Sequence, residues 1–276
     1  MTPIAPNAQA LSRSDRRWRP CGPWSITSYI WRWLIPATML LSFGTVPGLA
    51  SPPFSTESAG IIDYGKTEID IYMEGSHSQG YGSATFPGVQ IDHGVLPGLQ
   101  VRVTLPFALS SAAGKPHQFG IGDAQIGVKY QLIAERSLSP AVSVFPVIGL
   151  PVGNAGQGLG EGRPSLALPI WLEKHFGPWK VYGGGGYTIQ GATQGRNSVF
   201  LGLGVLRQVT DKLSFGAEIF HREPRHAGAP GSTNINIGAG YDFDERYSLY
   251  FSVGRGVQNP RLTNMGSGYL GVAMKF

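Results

Sequence analysis

What most constrains this chain is an alternation of apolar and polar side chains, sustained for about ten residues at a time and broken by turn residues, from position 66 to 276. Successive side chains of a strand point to opposite faces, so each such segment builds a sheet with one apolar and one polar face. Ile69, Ile71 and Met73 share one face of residues 68–74, and Glu68, Asp70, Tyr72 and Glu74 share the other. Leu99, Val101, Val103, Leu105 and Phe107 alternate in the same way with Gln100, Arg102 and Thr104. Twelve such segments can be marked: 65–74, 86–95, 98–108, 121–133, 140–151, 164–175, 178–189, 197–209, 212–222, 232–243, 246–256 and 267–276. The second is the weakest, because Pro87 and His93 interrupt it.

A soluble sandwich also alternates, but three features favour a transmembrane antiparallel up-and-down β-barrel. Each segment is close to the 9–11 residues that a tilted strand needs to cross a bilayer. The number of segments is even, as in bacterial outer-membrane barrels. The connections alternate in length: short links at 96–97, 134–139, 176–177, 210–211 and 244–245 are interleaved with longer stretches at 75–85, 109–120, 152–163, 190–196, 223–231 and 257–266. Short turns on the periplasmic side and long loops outside produce that order when both barrel ends are periplasmic.

Composition supports the same class. Only 14% of residues are charged and 42% are hydrophobic, against about 25% charged in an ordinary soluble domain. No charge-free apolar run approaches the roughly 18–20 residues of a spanning helix. The net charge of +5 belongs mostly to residues 1–50, where Arg13, Arg16, Arg17, Arg19 and Arg32 meet one acid, Asp15. The remaining chain is nearly neutral, so no nucleic-acid partner is expected. Cys21, the single cysteine, lies in that first stretch too, which leaves no thiolate metal site or disulfide in the repeating region.

Residues 1–50 read as a cleaved signal peptide. An arginine-rich stretch precedes the apolar run 33–43, and Gly48 and Ala50 supply small residues at the expected cleavage point after Ala50. The domain reading is therefore a signal at 1–50, a periplasmic lead-in at 51–64 and the barrel at 65–276. Leu270, Val272, Met274 and Phe276 alternate to the end of the sequence and are read as the signal that the barrel-assembly machinery recognises. The expected location is the outer membrane of a Gram-negative bacterium, in contact with outer-membrane lipid and lipopolysaccharide.

Closing the sheet removes open edges and turns the polar faces inward. Glu68, Asp70, Tyr72, Arg102, Lys129, Trp171, Tyr182, Glu218, Arg222 and Asp242 are then the pore-lining candidates. Both signs of charge occur, with Arg102 facing the strand of Asp92 and Lys275 closing against Glu68 or Asp70. Such a lining serves either as a selectivity path or as an ion-paired filling. Twelve strands fall between barrels filled by their own side chains and the sixteen of a porin, so a narrow bore is expected. The run of four glycines at 183–186 lacks the context of a phosphate loop and reads as a site of strand bending.

Three stretches carry a family resemblance: 94–99 leading to Leu105-Pro106-Phe107, Gly120-Ile121-Gly122-Asp123 leading to Gly127-Val128-Lys129-Tyr130, and Pro151-Val152-Gly153. Over roughly 61–276 the chain resembles the outer-membrane β-barrel family associated with the meta-pathway of phenol degradation. That resemblance implies a porin-like uptake channel for small hydrophobic or aromatic solutes, with no cofactor, no metal and no catalytic residue. Two other readings stand beside it. One is an outer-membrane enzyme of phospholipase type, for which His77-Ser78 would supply a base and a nucleophile. The other is a non-conducting structural or adhesive surface barrel.

Overall fold

A computed structural model describes residues 53–191, 196–225 and 228–276. The expected signal peptide at 1–50 lies outside the described residues.

The strands follow the alternation. They are β1 Thr67–Ser78, β2 Tyr81–Leu96, β3 Leu99–Ala112, β4 Gln118–Ile121, β5 Ala124–Ile133, β6 Ala141–Val144, β7 Val147–Leu150, β8 Ser165–Phe176, β9 Trp179–Gln190, β10 Ser198–Gln208, β11 Leu213–Arg222, β12 Ser232–Asp242, β13 Tyr247–Gln258 and β14 Gly266–Lys275. Sequential neighbours pair antiparallel, and β1 pairs with β14 to close the ring. Both β4 and β5 lie along β3, and both β6 and β7 lie along β5 and β8. Each of those two pairs is therefore one stave broken in the middle, and the protein is a twelve-stave antiparallel β-barrel.

The breaks have local causes. At Gly122-Asp123 the Asp123 carboxylate leaves the strand pattern and accepts N–H bonds from Gly153 (3.0 Å) and Glu161 (2.6 Å). At Phe145-Pro146 the proline has no N–H to give to a ladder, although its carbonyl still accepts from Val128 N–H at 3.0 Å.

One expectation needs correction. The stretch 75–85 is not a long loop, because β1 and β2 continue to Ser78 and Tyr81 and leave only Gln79-Gly80 as the turn. Its serines and glycines lack an apolar set to alternate, yet they pair as well as any strand, with Gly75 opposite Ala84 and Ser76 opposite Ser83. The glycines at 183–186 do not interrupt β9, which keeps continuous register with β8 and β10. Their missing side chains make room for rings: a Cβ on Gly184 would lie 3.0 Å from Trp171, and one on Gly186 would lie 2.8 Å from Phe200.

The outward face is the apolar one. Ile71, Leu105, Ile126, Ile170, Leu203, Phe215, Ile237 and Phe251 are among its exposed large side chains. The buried set is inside the ring and is largely polar: Glu68, Asp70, Asp92, Gln100, Lys129, Ser143, Glu173 and Glu218. This inversion of the globular pattern is what a lipid-facing wall requires.

Candidate functional site: the occupied bore

The stretch expected as a periplasmic lead-in sits among the inward side chains instead. Ser55 and Thr56 N–H donate to the two oxygens of Glu218 on β11, at 2.9 and 2.7 Å. Ile62 N–H donates to Gln100 Oε1 on β3 at 2.7 Å. The Ser252 hydroxyl on β13 donates to the Pro53 carbonyl at 2.8 Å, and the Ser143 hydroxyl on β6 donates to that of Ala59. A chain without regular structure must place its backbone polar groups somewhere. Here wall side chains take them.

The wall makes space for this segment with glycine. A Cβ at Gly202 would come within 2.3 Å of Thr56 Oγ1, and one at Gly94 within 2.1 Å of the Asp63 carbonyl. An apolar cluster of Ala59, Ala141, Phe145, Trp171, Phe200 and Phe220 fills the bore beside it, with Trp171–Phe200 and Phe200–Phe220 ring centroids 6.1 and 6.2 Å apart.

Glu57 is the electrostatic anchor. One oxygen lies 2.6 Å from Arg102 Nη1 and the other 2.9 Å from Lys129 Nζ. Arg102 also binds Asp92 through Nε at 2.7 Å, directly across the β2–β3 ladder as the strand pattern anticipated. Asp92 further accepts from Gln100, and from Gln90 at 2.8 Å. Arg102 and Lys129 both stand over the Phe145 ring, 4.9 and 5.5 Å from its centroid. A buried ion pair tolerates desolvation only with this kind of geometry and extra hydrogen bonding.

Above this floor lies a cavity of about 690 Å³. Pro53, Phe54 and Ser55 belong to its lining, together with Asp70, Tyr72, Glu74, Arg102, Asn234 and Tyr269. Tyr72 and Tyr269 stack with centroids 5.6 Å apart at 20°. The connection between β7 and β8 folds over this end: Leu159 is buried against Gly120, and Gly158 joins the cavity lining.

Of the ten pore-lining candidates, Asp70, Tyr72 and Arg102 face this cavity. Glu68, Lys129, Trp171, Tyr182 and Glu218 are buried in the filled part of the bore. Arg222 stands over Phe220 at 5.3 Å, and Asp242 accepts from Ser248. Lys275 lies opposite Glu68 in register, but its hydrogen bond goes to Ser248 at 3.4 Å. Glu57, which organises the whole floor, is the residue that strand periodicity could not find. Gly94 on β2 and Gly202 on β10, which make room for Asp63 and Thr56, are the trace that its segment leaves in the sequence.

The pair His77-Ser78 does not form a nucleophile and base. The two are consecutive in β1, so their side chains take opposite faces, and the Ser78 hydroxyl donates to the Tyr81 carbonyl at 3.4 Å. Ligand-type atoms of Glu135, Glu173 and His175 lie within 4.8 Å of one another. Ammonium groups already serve these carboxylates: Lys174 is 3.0 Å from Glu135 and Lys180 is 3.9 Å from Glu173. Partial burial acts to raise the Glu135 pKa, but hydrogen bonds from His175 and Lys174 outweigh it and hold the carboxyl below its ordinary range.

Comparison with known proteins agrees with this architecture. The COG4313 outer membrane channel from Pseudomonas putida F1 superposes with a TM-score of 0.68 at 16% identity, covering 83% of this chain and all of that one. The KdgM porin gives 0.53 at 12% identity, over 76% of this chain and 99% of its own. The NanC porin gives 0.54 at 9% identity, over 75% and 100%. At these identities the likeness is one of fold. No curated protein matches the sequence. A family model matches residues 75–269, well over half of the chain, and the protein belongs to the family described as "Putative MetA-pathway of phenol degradation".

Proposed function

We propose that this protein is an integral outer-membrane channel of a Gram-negative bacterium for passive uptake of small hydrophobic or aromatic solutes. The observation that carries this reading is the cavity of about 690 Å³ inside a closed twelve-stave wall, presenting stacked Tyr72 and Tyr269 beside polar groups. Flat rings give apolar contact to a solute ring while the amides and hydroxyls around them stay hydrated. Passage beyond the cavity requires the segment carrying Phe54 and Glu57 to yield. Among the described residues that segment is held by side-chain contacts, and its backbone meets the wall only at the isolated Tyr64–Gly94 bridge. The filled floor is the one observation that favours a second reading, a non-conducting barrel. The opposed faces of His77 and Ser78 leave the phospholipase reading without that pair as its base and nucleophile.

Swelling of proteoliposomes in phenyl glucoside, an aromatic solute slow to cross lipid, compared with a non-aromatic disaccharide, tests the reading. Faster swelling in phenyl glucoside is expected, and Gly202→Val, which drives side-chain atoms into the place of Thr56, should speed both. Absence of swelling in either solute for both proteins would establish the inert barrel instead.

A further inference from the structure

The charged residues lining the cavity are three acids, Glu57, Asp70 and Glu74, and one base, Arg102. Arg102 is already claimed by Asp92 and Glu57, and Glu57 is shared with Lys129. Among the described residues neither Asp70 nor Glu74 forms an ion pair. Asp70 is 2% exposed, and its Oδ1 has no hydrogen-bond partner. Its other oxygen receives only the Gln90 amide, at 3.3 Å.

These carboxylates stand in one column with the stacked rings. Asp70, Tyr72 and Glu74 follow each other on the inward face of β1, and Tyr269 on β14 lies directly opposite Glu74 in register. Residues so paired have Cβ atoms about 4.5–5.5 Å apart. Aromatic faces carry negative potential and attract a cation that approaches them. An anion would meet that potential and two carboxylates without an ion-pair partner as well, since Arg102 and Arg222 act on them only from beyond ion-pair distance. A bare metal ion would use the carboxylates but not the rings, whereas an ammonium group on an apolar body uses both. Asn234 and Asn236 on β12 complete the lining with neutral polar groups.

We propose that this cavity is a binding site for organic ammonium ions, with Asp70 and Glu74 taking the charge and Tyr72 and Tyr269 the attached apolar body. The proposal rests on the channel reading above for its place in uptake, though not for the binding itself. Calorimetric titration of the refolded full chain in octyl glucoside at low salt compares phenethylammonium with phenylacetate, which carry the same ring and opposite charges. Phenethylammonium should bind roughly tenfold more tightly, and the gap should narrow as salt screens the carboxylates. Glu74→Gln should reduce the preference several-fold, and Tyr269→Leu should weaken the phenethylammonium arm, with heat-modifiable gel migration showing that both variants remain folded.

Equal or tighter binding of phenylacetate would overturn the proposal, and so would a preference that Glu74→Gln leaves unchanged. Phenyl glucoside swelling separates the two readings. If swelling fails while phenethylammonium still binds, the conduction reading falls and the site stands. If swelling succeeds while the charge preference is absent, only the site falls.

Discussion

The ammonium of Lys129, fully withdrawn from solvent, has its ion-pair partner 2.9 Å away on Glu57, a residue 72 positions earlier that belongs to no strand. The wall and its contents are thus electrostatically one unit. A barrel emptied of this segment would hold a bare lysine among rings.

The first prediction follows from that pairing. Removing one partner of a buried pair typically costs about 3–5 kcal/mol, because the other charge is left unmatched. Glu57→Gln should lower stability toward that range, less whatever is recovered as water reaches Lys129. Lys129→Met in the same chain should restore much of the loss. A double-mutant cycle on urea unfolding measures the coupling, and additive single effects would show that the pair contributes nothing.

A second prediction concerns the lipid face. Val272 points outward from β14, between Leu249 on β13 and Ile71 on β1. Arginine near the bilayer midplane costs roughly 2–4 kcal/mol, so Val272→Arg should sharply reduce the heat-modifiable species. Phe276 joins the seam by exchanging backbone hydrogen bonds with Thr67, at 2.8 and 3.0 Å. We propose that Leu270, Val272, Met274 and Phe276 serve as the assembly signal, and deletion of Phe276 should slow assembly. Unchanged barrel yield in both variants would remove support for that role.

The third is a pH dependence at the turn between β12 and β13. Asp244 Oδ1 accepts Arg246 and Tyr247 N–H at 2.8 and 2.9 Å. These bonds favour the charged form and hold the Asp244 carboxyl below its usual range. A depressed carboxyl stabilises the fold above its ordinary pKa, and that contribution disappears as pH falls through the depressed value. Amide exchange at Arg246 and Tyr247, corrected for the intrinsic pH dependence, should therefore gain in opening as pH drops through that interval. In Asp244→Ala the opening should already be high and insensitive to pH there.

Most of the wall was legible in the sequence because lipid on one side and a polar bore on the other impose a strict period of two. Ile71 and Leu105 point out and Asp70 and Arg102 point in, as the alternation requires. The Asp92–Arg102 pairing was legible for the same reason, since register follows once both strands and their short turn are placed. Ser76 and Ser83 were missed as strand residues because they carry no apolar partner to mark a face. The floor was illegible for a deeper reason. Thr56 and Glu57 hold no periodic pattern, and what fixes them comes from β3, β5 and β11, far away in sequence.

Because the segment on the floor carries a charge, its departure would do more than widen the passage. With Glu57 gone, Asp92 still answers Arg102, but Lys129 is left unanswered. In the same step Glu218 would lose the two N–H donors of Ser55 and Thr56, so a buried cation and a buried anion would be bared together. The segment therefore holds one charge of each sign in check, and a barrel that loses it would gain a passage and two unmatched charges at once.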